Sequence, residues 1–122
     1  MRLDEAAFEQ LVACALDELP DWVRAHMDNV AIVIADWPTP QQRLAAGIRK
    51  GDLLGLYEGV PLTQRGRGYH LTPPDRITLF QGPLESYAPN DRALVQLIRR
   101  TIIHEIAHHF GFSEGHLRRL GY

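Results

Sequence analysis

The chain has 122 residues, of which 45% are hydrophobic and 23% charged, and its formal net charge is −2. That length carries one hydrophobic core and not two, so a single domain over residues 1–122 is expected. The near-neutral balance speaks against an electrostatic nucleic-acid or membrane binder, and no apolar stretch approaches the length of a membrane span.

Residues 5–19 place Phe8, Leu11, Val12, Ala15, Leu16 and Leu19 at helical spacing, with Asp4 as N-cap and Pro20 as the stop. Asp4, Glu5 and Glu9 interrupt any apolar run, which argues against an export signal. Cys14 sits inside this pattern and is expected in the core. As the only cysteine it has no internal disulfide partner, so the reducing cytoplasm is the expected compartment. A short turn from Asp21 to Met27 offers Trp22, Val23 and Met27 to the core, with His26 at its boundary. Val30-Ala31-Ile32-Val33-Ile34 is a β-branched run of strand length, expected to be covered on both faces.

Thr39-Pro40-Gln41-Gln42 reads as a helix start, with Thr at the cap, Pro at the first helical position and Gln completing a capping box. Gly47 and Gly51 keep that helix short. Leu53 to Tyr57 is a second strand candidate, and Tyr57 and Glu58 at its end could rim a cleft. Gly59 to Asp75 is rich in Gly and Pro and is expected as an exposed loop; its Tyr69 and His70 are read as loop residues rather than oxyanion donors. Ile77-Thr78-Leu79-Phe80 is a third strand, ended by Gly82-Pro83. Asp91 to Phe110 is one long helix capped by Asn90 and terminated by Gly111. Its Leu94, Leu97, Ile98, Ile102, Ile103, Ile106 and Phe110 cover so much of the circumference that packing on more than one side is expected. Leu117 and Leu120 bring a last short helix onto the core. The sum is an α+β domain: a small sheet on a long C-terminal helix, with helices at the N-terminal end.

His104-Glu105-Ile106-Ala107-His108 lies on the long helix. Residues four apart share a helix face, so both imidazoles can reach one tetrahedral zinc. Glu105 follows the first of them and can take a proton from zinc-bound water. A third ligand must come from beyond the helix. Gly111 can adopt the left-handed conformation that turns the chain back, and Glu114, six residues after His108, is the favoured ligand, with His116 as its competitor. His109, on the flank of the helix, is read as a packed group rather than a ligand.

His104-Glu105-x-x-His108-x-x-Gly111-x-x-Glu114 resembles the extended metzincin signature, His-Glu-x-x-His-x-x-Gly-x-x-His/Asp. The stretch from Arg99 to Gly111, with Leu54 to Leu62 and Asp75 to Phe80, is similar to a family of very short bacterial zincin-like proteins regarded as minimal metallopeptidases. The resemblance implies a zincin-like α+β fold, bound zinc on the two motif histidines, the motif glutamate as catalytic base and a peptide or protein as substrate. Members of that family typically carry Asp at the third-ligand position, where this chain has Glu114. Metzincins proper have a methionine-containing turn beneath the metal, whereas both methionines here, Met1 and Met27, precede the motif. In related zincins an extended peptide lies along the edge strand before the active helix, which by that analogy is Ile77 to Phe80.

The function expected is zinc-dependent peptide hydrolysis through His104, His108 and Glu114, with Glu105 as general base. Two rivals stand beside it. One is a non-catalytic module in which zinc is a structural staple closed by both Glu114 and His116. The other is a metal-dependent endoribonuclease, disfavoured by Glu105 directly after the first histidine and by the lack of basic excess. Neither substrate sequence nor oligomeric state follows from these residues.

Overall fold

The computed structural model describes residues 2–47, 52–59 and 73–122. Tyr69, His70 and most of the Gly- and Pro-rich stretch lie outside the described residues. Helix α1 (Glu5–Asp17) starts as expected, with the Asp4 carboxylate accepting the Ala7 N–H at 2.8 Å. It stops earlier than the apolar spacing suggests, because the Glu18 N–H turns back to Ala15. Leu19 is buried all the same. Phe8, Val12 and Ala15 form the buried stripe, and Cys14 is exposed, contrary to expectation. One residue is a rotation of about 100° on a helix, which carries Cys14 off the stripe that Ala15 occupies.

Helix α2 (Asp21–Ala25) buries Val23 and leads into β1 (Val30–Ala35). Helix α3 (Pro40–Ala45) has the complete capping box between Thr39 and Gln42, yet buries none of its residues. Strands β2 (Gly55–Glu58) and β3 (Asp75–Phe80) complete a three-stranded sheet of order β1-β3-β2. β1 runs parallel to β3 with Ile32 opposite Ile77, and β2 runs antiparallel to it with Leu56 opposite Thr78.

This order corrects two expectations. Among the described residues β1 is an edge strand, and it is not covered on both faces: Val33 is 40% exposed. The apolar run that is sandwiched is β3, where Ile77, Leu79 and Phe80 are wholly buried. β3 is also not an edge. Its backbone pairs on both sides, so Ile77 to Phe80 has no free rim for a peptide, and among the described residues β1 and β2 are the outer strands.

Helix α4 (Gln81–Tyr87) forms where Gly82-Pro83 had suggested only a strand end. Pro83 lies in the first turn, where a helix needs no N–H from it. Gly82 is required by packing, since a Cβ there would overlap the Trp37 ring. The buried Glu85 of this helix accepts from Gln81 and from the Leu3 N–H, pinning the segment before α1.

Helix α5 (Asp91–His109) begins at Asn90, whose side chain accepts the Ala93 N–H, and forms the centre of the core. Leu94, Ile98, Ile102, Ile103 and Ile106 are wholly buried against Phe8 and Val12 of α1, Ile77 and Leu79 of β3, and Leu84 of α4. Each such side chain contributes roughly 1.5–3 kcal/mol on burial. Phe110 departs from the expected pattern and is 43% exposed. Helix α6 (Glu114–Arg119) returns Leu117 to the core, whereas Leu120 remains exposed. Among the described residues no helix is long and apolar enough to cross a membrane.

Candidate metal centre

The end of α5 sets the site. His104 and His108 lie one turn apart with ring centroids separated by 5.8 Å and ring planes nearly perpendicular. Gly111, at φ +85°, ends the helix in the left-handed conformation that a side chain would strain. The Phe112 N–H then donates to the Ala107 carbonyl at 2.8 Å and the Gly111 N–H to His108 at 3.2 Å, which is the double bond of a Schellman turn. Ser113 follows as N-cap of α6, its hydroxyl accepting the His116 N–H at 3.0 Å. These two local devices fold the chain back so that Glu114 faces the histidines.

The geometry brings together three of the expected residues. Donor atoms of His104, His108 and Glu114 all lie within 4.8 Å of one another. His108 Nε2 and Glu114 Oε1 are 2.5 Å apart, and both side chains are about half exposed. The hydrogen bond from His108 holds the Glu114 carboxyl below its ordinary range. Two imidazole nitrogens and a carboxylate oxygen form a donor set that zinc accepts, and three protein donors leave a position open. The donor chemistry therefore fits the ion.

Glu105 lies beside this cluster and is half-buried. Its Oε1 accepts the Tyr57 N–H of β2 at 2.9 Å. Burial pushes its carboxyl above the ordinary range, against the opposing pull of that N–H and of both histidines. A shift in that direction suits a group that must take up a proton. His104 Nε2 lies 3.3 Å from the Tyr122 carbonyl oxygen. His104 and Glu105 open into a groove of about 430 Å³ that Leu53, Gly55 and Tyr122 also line.

The remaining candidates sort by what they touch. The ring of His116 stacks on Phe112 at 4.7 Å with planes 3° apart, and it does not join the donor cluster. A closed four-ligand staple would need that ring at the cluster. His109 stacks on the Tyr57 ring at 3.7 Å, a packed position as expected for it. His26 packs against Phe110 at the boundary of the core. Glu58 turns to Arg76 and away from the cluster. Tyr57 matters through its backbone, and its hydroxyl donates to Asp75 at 2.7 Å. The two main-chain groups at the site, the Tyr57 N–H and the Tyr122 carbonyl, were not singled out beforehand. Every residue carries such groups, so no side-chain pattern marks them.

A family model described as zincin-like metallopeptidase matches residues 27–122. Among solved structures, a conserved hypothetical protein from Thermus thermophilus is similar in fold, with a TM-score of 0.53 and 21% identity. The match covers 88% of this chain and 94% of that one, and at this identity it speaks for the fold alone. No curated protein matches at a significant level.

Proposed function

The chain belongs to the zincin-like metallopeptidase family, and we propose that it hydrolyses peptide bonds with a zinc ion held by His104, His108 and Glu114 and with Glu105 as general base. The observation that carries this reading is the convergence of those three donors beside a half-buried carboxylate of raised proton affinity. Zinc, when bound, supplies a Lewis acid that acidifies water and polarises a carbonyl. Glu105 accepts the proton of the attacking water and delivers it to the leaving amine. The Tyr57 N–H holds Glu105 Oε1 in place and so aims the carboxylate. β2, an outer strand among the described residues and in contact with Glu105 through Tyr57, takes the place of β3 as the strand an extended peptide would pair with. A single thiol without an internal disulfide partner suits a cytoplasmic location.

Metal analysis and a peptide-library assay test the proposal together. The protein is expected to bind about one zinc per chain. Glu105→Ala should keep that zinc while hydrolysis falls by about 10²–10⁴-fold. Loss of the metal along with activity would make Glu105 structural and overturn its role as base.

A further inference from the structure

The groove at His104 and Glu105 does not end there. A larger hollow of about 860 Å³ runs on along α5 and shares Leu54, Leu97, Arg100 and Tyr122 with it. The two form one trough between α5 and the chain entering β2. Two leucines and Tyr122 make the rest of the shared wall, and Arg100 is the one charged side chain common to both parts.

Arg100 is exposed, and among the described residues it makes no hydrogen bond or ion pair. Of the other charged groups of the trough, Glu105 stands at the histidines with its Oε1 on the Tyr57 N–H. Arg99 donates to the Glu18 carbonyl at 2.8 Å and lies over the Tyr122 ring. Asp52 lines the far end together with Tyr87. Arg100 thus brings a guanidinium with no partner among the described residues to a stretch of wall it shares with Leu54, Leu97 and Tyr122.

Its position relative to the donors follows from helix geometry. Residues 100, 104 and 108 are successive i+4 positions on one stripe of α5, so Arg100 stands roughly 6 Å along the helix from His104. An extended peptide advances roughly 3.3 Å per residue. We propose that Arg100 determines substrate specificity by binding a carboxylate about two residues from the scissile bond, an inference that rests on the peptidase reading above. The planar guanidinium fork matches a carboxylate in bidentate fashion, and the leucines beside it reduce competition from water. An acidic side chain and the free C-terminus of a short peptide both supply that group.

Binding to zinc-loaded Glu105→Gln protein tests this without turnover. Four fluorescent pentapeptides, with Glu or Gln near the centre and a free or amidated C-terminus, separate the two sources. A carboxylate-bearing peptide is expected to bind about tenfold more tightly than the Gln amide, and the arm that shows the gain identifies the source. Arg100→Gln on the same background should erase the difference, Arg100→Lys should retain part of it, and Arg100→Glu should turn the preference toward a Lys-bearing peptide. Thermal melts of these variants should match the parent, because the side chain is exposed and makes no bond to the described residues. Equal affinity for all four peptides, or a preference that survives Arg100→Gln, would overturn the role of Arg100. The peptidase reading would then still stand or fall on wild-type cleavage of the Gln amide. No binding of any peptide would overturn both.

Discussion

The two halves of α5 share one helix and differ in nearly everything else. From Leu94 to Ile103 the helix is a core element, with Leu94, Ile98, Ile102 and Ile103 wholly buried. Arg92 and Arg99 on its flank are both tied to Glu18 at the end of α1. From His104 onward the open face carries the donors. His104 is half-buried and His108 exposed, while Ile106 and Ala107 keep the opposite face in the core. Here Tyr57 and Glu114, from two other elements, meet the helix through polar atoms. A buried half holds the helix rigid, and an open half presents donors to solvent without loosening it. Functional groups on a rigid element are placed more accurately than groups on a loop.

If the halves divide stability from chemistry in this way, mutations should separate them. Ile102→Ala, in the buried half, should cost about 2–5 kcal/mol of stability in urea denaturation. His108→Ala should leave the metal-free protein within about 1 kcal/mol of wild type, as expected for an exposed pair. It should abolish the stabilisation by added zinc, which in the wild type amounts to about 2.7 kcal/mol at a hundredfold excess over Kd. A metal-free loss as large as that of Ile102→Ala would break the comparison, because the site would then be part of the core.

The finest test lies on the boundary, at Glu105. Burial raises its carboxyl pKa in the folded chain, so the folded state binds that proton more tightly than the unfolded state does. In the metal-free protein this group therefore costs stability as pH rises through the interval above its ordinary range. Glu114 acts in the opposite sense at lower pH: its lowered carboxyl favours the fold above the ordinary range and loses that effect on acidification. Glu105→Gln removes the first effect and retains an oxygen for the Tyr57 N–H. Metal-free Glu105→Gln should thus unfold at higher urea than wild type at pH 7, with the gap shrinking toward pH 4. A gap independent of pH would show that desolvation of the charge is not what separates the two.

Much of the fold was legible where the signal was local. The Asp4, Thr39 and Asn90 caps and the Gly111 stop all act within a few residues, and each appears as the pattern indicated. Errors arose where the outcome depended on neighbours distant in sequence. Val30 to Ile34 and Ile77 to Phe80 are both apolar runs, and strand order alone makes the first an edge and the second the centre. Cys14 was misplaced by a single helical step. Helix α4 was hidden because Gly82 reads as a break until Trp37 is seen lying against it.

For the site, the residue order is enough to put His104 and His108 on one face with Glu105 beside them, since helix periodicity leaves no other arrangement. It also determined that the chain turns back at Gly111. It is the fold that brings Glu114 to the histidines while His116 stacks on Phe112. Only the structure, too, tied Glu105 to the Tyr57 backbone and left Arg100 in the trough without a partner among the described residues. The reason is one of range. Backbone periodicity acts over four residues and can be read directly, whereas these contacts join segments whose approach is set by how the whole core packs.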